Sequence, residues 1–299
     1  MNRKTLTGHL LLLSANLIYG VNYVIAKGVM PEYLSPRAII FFRVTGTVLL
    51  FWLLSLMFPR EKVEKRDLFK LAICAFFGVT LNQIMFFEGL NLSTPIDTSI
   101  IMTINPILVL VFSFFLIKEK ITVFKIAGII LGAAGAITII LSHGEISFSS
   151  DTFTGNLLIV INASSFAVYL VLVKPLIMKY RPWTMMKWIF VFGCIMILPV
   201  CTGPFIASDF AAIPGKIWVS IIYIIIGTTF IGYLLYNLAL ERVSPTLAST
   251  YMYLQPLIAS LTAIIFIGDI LTVEAVISAI LIFSGVYLVS YRKSVPLRK

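Results

Sequence analysis

Apolar residues run along this chain in blocks of about twenty, too long for a half-buried strand and too evenly greasy for the one-sided helix of a soluble domain. The blocks fall near 8–27, 36–58, 68–90, 96–117, 121–141, 154–173, 183–202, 216–238, 247–267 and 272–291. Crossing the hydrocarbon core of a bilayer takes about 20 apolar residues. Each block therefore predicts one membrane-spanning helix, and together they predict an all-α integral membrane protein of ten transmembrane helices joined by short loops. The opening stretch, Met1 to Thr5 followed by leucines, has the look of a secretory leader. Its apolar run continues past Tyr19 without a small-x-small pattern, so it reads as the first span.

Composition narrows the class. Hydrophobic residues make up 60% of the 299, and charged residues only 12%, about half of what a soluble chain carries. Mean hydropathy is +1.02. An ordinary soluble enzyme, a disordered chain and a disulfide-stapled domain are excluded. The three cysteines, Cys74, Cys194 and Cys201, all lie in apolar runs with no metal or redox spacing and read as small buried hydrophobes.

A net charge of +10 in a soluble protein would suggest nucleic acid; its distribution here gives it another meaning. With the N-terminus placed inside, nineteen Lys and Arg gather at inner ends and loops, from Arg3 and Arg60 to Lys179 and Arg292, while the outer side keeps Lys27, Arg37 and Lys216. This bias orients membrane proteins. It predicts a multi-pass protein of a bacterial inner (plasma) membrane with both termini cytoplasmic, whose large partner is the lipid bilayer and not nucleic acid.

An internal repeat organises the spans. A shift of 150 lays 89–139 onto 239–289 without gaps, with eleven identities including Pro95/Pro245, Ser99/Ser249, Met102/Met252, Pro106/Pro256 and Gly135/Gly285. Roughly four would arise by chance in this composition. A shift of 147 pairs Gly8/Gly155, Lys27/Lys174 and Tyr33/Tyr180. The chain thus reads as two five-helix repeats, 1–146 and 147–299, forming one membrane domain. Five is odd, so the second repeat must enter from the opposite side, and the repeats are inverted. Secondary transporters use this architecture, with substrate near the midplane between halves.

Several stretches in order, namely Tyr19-Gly20-Val21-Asn22-Tyr23, Arg43, Ala239-Leu240 leading to Ser244-Pro245, and Tyr253-Leu254-Gln255-Pro256, resemble the drug/metabolite transporter (DMT) superfamily, and within it the EamA branch of ten-span exporters. One departure is Gln255, where members often carry Glu. The resemblance implies export of small metabolites, often amino acids, by alternating access.

The residues suggest where substrate would sit. Pro106 and Pro256 fall near the centres of spans four and nine, and each deprives the carbonyl four residues earlier, on Met102 or Met252, of its helical partner. Backbone freed at midplane must find protein, water or substrate. Polar stripes follow each proline: Ser99, Thr103 and Ser113 on one side, Ser249, Tyr253 and Ser260 on the other. Asn16, Tyr19 and Tyr23, Asn82 and Gln83, Asn162, Ser165 and Tyr169, and Thr229, Tyr233, Tyr236 and Asn237 add polar faces in spans one, three, six and eight. They line a cavity, or bond helix to helix. Arg43 lies about 10 Å inside span two; it snorkels outwards, or forms an outer gate or a seat for an anionic substrate group, with Glu88 as first partner and Asp97 next. Glu88 is also the candidate for proton coupling. Gly128, Gly132 and Ala136 make a close-packing face on span five, which predicts that spans five and ten are peripheral and touch a second copy if the protein is an oligomer.

No GxxxxGK[ST] loop and no His cluster occurs, so no enzyme activity and no cofactor is expected. The lining has amides, hydroxyls and aromatic rings but few charges. This predicts a carrier for a neutral or zwitterionic small molecule, amino acids first, against the alternatives of a channel, a non-transporting scaffold and a membrane-embedded enzyme.

Overall fold

A computed structural model describes residues 3–93, 98, 101–142, 150–258, 261 and 273–291. The described part is helical throughout its regular structure. Helix α1 spans Arg3–Val29, α2 Pro36–Leu56 and α3 Lys65–Leu92; α4 is Asn105–Ile117 and α5 Val123–Ser142. In the second half α6 covers Ser150–Ile177, α7 Pro182–Ile206, α8 Gly215–Leu240, α9 Pro245–Thr250 with a 3-10 turn over Tyr251–Tyr253, and α10 Val273–Ser290. Six of them (α1, α2, α3, α6, α7 and α8) are long and apolar enough to cross a membrane, and shorter apolar helices occupy predicted spans four, five and ten; most of the second part of span nine lies outside the described residues. Ser99, Asp97 and Ser260 lie outside the described residues.

Local sequence sets the helix starts. The Ser35 and Ser244 hydroxyls accept from the backbone N–H of Ala38 and Leu247 (3.3 Å each), and Pro36 and Pro245 follow at the first helical position, where a missing N–H costs nothing. α4 stops at Lys118, left-handed at φ 55°, with the Glu119 N–H closing back on Ser113 O at 3.0 Å. Large apolar side chains such as Leu53, Phe115, Val123 and Val219 stand exposed on the outer surface, as a hydrocarbon surround requires.

Packing follows the repeat. α2 lies against α7, α5 against α10, and α1 packs on α8 as α6 packs on α3. The correspondence reaches single residues. Gly8 of α1 abuts Arg242 and Val243 beyond the end of α8, and Gly155 of α6 abuts Leu92 and Ser93 at the end of α3. Lys27 Nζ donates to Leu90 O (2.8 Å), while Lys174 Nζ donates to Leu240 O and, at 2.9 Å, Val243 O. Each lysine thus caps the C-terminus of the third helix of its own half, where the helix dipole favours a cation.

Both third helices contain a π segment, Phe76–Thr80 in α3 and Tyr223–Ile231 in α8. Such wide turns leave carbonyls for other partners. In α3 these partners are Ser165 Oγ, donating to Phe77 O at 2.6 Å, and Tyr233 OH, donating to Gly78 O at 2.9 Å. The fourth helix of each half is irregular just ahead of its proline: a turn at 103–104 precedes Pro106, and the 3-10 turn precedes Pro256. The glycine face of α5 meets its own chain and not a surface for a second copy. An added Cβ on Gly128 would stand 2.6 Å from Gly285 O, and one on Gly132 would stand 2.4 Å from the Tyr253 ring.

Candidate substrate cavity

A cavity of about 90 Å3 lies between the halves. Its wall takes Tyr19, Asn22 and Tyr23 from α1, Arg43 from α2, and Asn82, Gln83, Phe86 and Phe87 from α3. Met102, just ahead of α4, closes one side; Asn162 and Phe166 of α6, Tyr233 and Tyr236 of α8, Met252 of the turn that ends α9 and Gln255 in the helical stretch 254–258 just after it complete it. Tyr19, Arg43, Asn82, Asn162 and Tyr233 sit about 10 Å or more below the nearer end of their helices, at 1.5 Å per residue. The space holds several waters but is smaller than the ~150 Å3 that accommodates benzene. A metabolite of amino-acid size needs the wall to give, and the two methionines are its most adaptable parts.

Polar atoms of this wall lack partners. Among the described residues, Asn22 Oδ1, both amide atoms of Gln83, Asn162 Oδ1 and the Tyr236 hydroxyl are buried without a hydrogen bond. Leaving one such group unmet costs about 1–3 kcal/mol, so four side chains doing this around one space point to an occupant, water or solute. Other polar groups of the wall are held in place. Tyr23 OH donates to Gln255 Oε1 (3.1 Å), Gln255 Nε2 to Asn16 Oδ1 (2.9 Å), and Asn162 Nδ2 to Asn82 O (2.7 Å). These bonds cross between halves, from α1 to the helical stretch just after α9 and from α6 to α3.

Of the residues singled out in the sequence, Tyr19, Tyr23, Arg43, Asn82, Met102, Asn162, Tyr233 and Met252 reach the wall. Others stand behind it. Asn16 orients Gln255, and Tyr169 OH donates to Asn237 Oδ1 at 3.0 Å while Asn237 Nδ2 donates to Tyr233 O at 2.8 Å. Tyr253 is buried against α5, Pro106 is buried in α4, and Pro256 and Thr103 are off the wall. Gln83 and Tyr236, expected on polar faces that line a cavity or bond helix to helix, also lie on the wall, and Asn22, Phe86, Phe87, Phe166 and Gln255 join it although the sequence did not mark them as cavity residues. Asn22, Gln83, Tyr236 and Gln255 carried a signal as polar groups inside apolar runs; the phenylalanines carried none.

Arg43 is buried, its Nε donating to Thr229 Oγ1 at 2.8 Å and its guanidinium lying 4.6 Å from the centre of the Phe87 ring. Glu88 is not its partner. That carboxylate pairs with Arg37 at 2.6 Å on an exposed edge, because Arg37 is nearly two turns closer to the helix end that Glu88 faces. The guanidinium points inwards and does not snorkel. No described carboxylate lies within ion-pair distance of Arg43.

Charged contacts tie the halves together at the face carrying Lys174. Asp67, buried at the start of α3, accepts from Lys70 Nζ (2.8 Å), Lys179 Nζ (2.6 Å) and Tyr180 OH (2.9 Å). Lys179 also pairs with Glu64 at 2.7 Å, and these carboxylates hold its ammonium above the usual lysine range. Nearby, Thr246 Oγ1 donates to Glu119 Oε2 at 3.0 Å, joining α9 to the end of α4. On the Lys27 face, Ser93 donates to Asn156.

This geometry can be set beside known proteins. The profile of the EamA-like transporter family matches residues 6–141 and again 153–291. The chain belongs to that family. A protein of Archaeoglobus fulgidus described as an uncharacterized transporter is 27% identical over 299 residues, covering 98% of this chain and 99% of its own. A protein of Streptantibioticus cattleyicolor described as a "probable terminal-alkyne amino-acid exporter" is 24% identical over 233 residues, 78% of this chain and 76% of that one. A solved crystal structure superposes with a TM-score of 0.76 at 17% identity over 95% of this chain and 96% of that chain, a likeness of fold. The EamA-like chain is therefore a multi-span membrane protein of a transporter family.

Proposed function

We propose that this EamA-like protein is a secondary transporter, and an exporter in net direction, that moves small metabolites by alternating access, with amino acids the first substrate class to test. The observation that carries the reading is the cavity between the halves, where the Gln83 amide and Asn162 Oδ1 stand without partners more than two helical turns from either end of their helices, with Asn22 Oδ1 and the Tyr236 hydroxyl also unpartnered on the wall. Residues 1–146 and 147–299 act as inverted halves that rock about this site. The packing of α1 on α8 and of α6 on α3 supports this arrangement, since it pairs like with like under exchange of the halves. The face rich in Lys and Arg is the cytoplasmic one, by the positive-inside rule, with both termini on it. A relative described as an amino-acid exporter supports the substrate class. A continuous channel is disfavoured, because charged and polar ties close the Lys174 face.

The test is counterflow. Protein reconstituted in liposomes preloaded with a mixture of unlabelled amino acids should take up labelled amino acids against their gradient, saturably. Linear, non-saturating flux would point to a channel, and absence of exchange for every amino acid, nucleoside and sugar tried, with folded protein, would remove the transporter reading.

A further inference from the structure

The described part of the cavity wall holds one formal charge. Arg43 brings a guanidinium with five N–H donors, and Thr229 takes the Nε donor. The face of Phe87 covers part of the group, and no described carboxylate is within ion-pair reach. A buried cation without an anion is costly in a low-dielectric surround, and an oxygen pair of the right geometry relieves that cost with two parallel hydrogen bonds. Around it the wall divides into two kinds. Phe86, Phe87, Phe166, Met102 and Met252 are apolar, whereas Asn22, Gln83 and Asn162 present unsatisfied amide atoms.

We infer that Arg43 seats the carboxylate of the substrate and that the cavity therefore ranks ligands by charge, a monoanionic carboxylate with an apolar or aromatic body binding more tightly than the corresponding zwitterion, the neutral amide less, and the amine least. This rests on the transporter reading for its purpose but not for its measurement. The order follows from the charge count. A zwitterion satisfies the guanidinium but must leave its ammonium with amide oxygens and ring faces, which offset a cation less well than a carboxylate does. An amine brings a second cation beside Arg43. Thr229 keeps the guanidinium from swinging away, and Phe87 supports one face of it, so the Nη edge is what remains for a carboxylate.

Four compounds on one skeleton test this: 3-phenylpropanoate, L-phenylalanine, 3-phenylpropanamide and 2-phenylethylamine. Binding to the purified full chain is read as the rise in melting temperature with ligand concentration, which reports Kd by mass action. The expected order of affinity is the order given, with 3-phenylpropanoate roughly tenfold or more tighter than the amide. Arg43→Gln should bring the anion and the amide to within about twofold of each other, and Arg43→Lys should keep the order with weaker binding. Arg37→Gln, a surface charge change, should leave the order intact. Equal binding of anion and amide by the wild type, tighter binding of the amine or zwitterion than of the anion, or no binding by any of the four overturns the inference. The wild-type series alone decides it if Arg43→Gln fails to fold. Correct order without counterflow of any solute would overturn the transporter reading alone, and amino-acid counterflow without the charge order would overturn the inference alone.

Discussion

Gly132→Ala tests whether the packing of α5 holds the cavity wall in place. A Cβ at this position would stand 2.4 Å from Cδ2 and 2.7 Å from Cε2 of Tyr253, against 3.4 Å or more for ordinary contact. The deficit is about 1 Å. Tyr253 is 1% exposed, and the close atoms belong to its ring and not to the far end of a flexible side chain, so α9 or α5 has to shift. Overpacking of this kind costs about 1–3 kcal/mol, and the better helix propensity of Ala returns about 1 kcal/mol. The net loss is about 0–2 kcal/mol, a fall of a few degrees in Tm at about 2–4 °C per kcal/mol. The larger effect should fall on transport. Tyr253 adjoins Met252 in the turn that also positions Gln255, and sites tolerate displacements of only about 0.5 Å, so the counterflow rate per folded molecule should drop roughly tenfold. Gly203→Ala, also within a helix, is the control, since nothing lies within 4 Å of a Cβ there; it should keep wild-type exchange, and its Tm should equal or exceed the wild type by a few degrees through helix propensity alone. Adding Tyr253→Leu to Gly132→Ala should recover more stability than the single changes predict additively, the signature of residues in contact. Wild-type Tm and wild-type exchange in Gly132→Ala would refute the argument.

Other consequences concern different parts of the molecule. Gly285→Ala places a Cβ 2.5 Å from Gly128 O and 2.7 Å from Gly132 N; backbone cannot yield as a side chain can, so it should lower Tm more than Gly132→Ala, while the oligomeric state on gel filtration stays unchanged. Asp67→Asn weakens the charged ties at the Lys174 face, so with Cys194 and Cys201 replaced by Ser, alkylation of buried Cys74 should be several-fold faster than in the parent that keeps Asp67. An unchanged rate would mean that this cluster does not hold the face shut. Because its carboxylate partners raise the Lys179 pKa, the contribution of that lysine is present below the ordinary lysine range and is lost only as pH rises through the higher folded value. The difference in Cys74 labelling between the Asp67→Asn variant and its parent should accordingly be flat between about pH 6 and 8.

The sequence carried much of this architecture because the repeat made it readable twice. Pro106 and Pro256 marked the broken fourth helices, and Met102 and Met252, four residues earlier, both reach the cavity wall. Arg43 stood out as the lone charge deep in an apolar run. Its surroundings did not, since Glu88 and Arg37 are near one another only because α2 and α3 meet at that end. The aromatic wall was unreadable for a general reason. In a bilayer the outside of a bundle is as apolar as its inside, so Phe87 against the guanidinium and Phe115 towards lipid look alike in hydropathy. Polar groups misled in the opposite sense. Asn16, Tyr169, Asn237 and Tyr253 are intramembrane, yet they brace the wall without forming it, a distinction set by helix rotation that periodicity leaves open. The glycines of α5 signalled close approach correctly, but only coordinates reveal that the approach is to Gly285 and Tyr253 of the same chain.

The most direct test of the central claim, that solute passes through this cavity, uses the two methionines that the sequence repeat pairs. In a chain with Cys74, Cys194 and Cys201 replaced, Met102→Cys and Met252→Cys each place one thiol on the wall. Alkylation with a water-soluble maleimide should abolish amino-acid counterflow in both, and the solute that exchanges should slow the alkylation in proportion to its occupancy. Full exchange by fully alkylated protein in both variants would contradict the account.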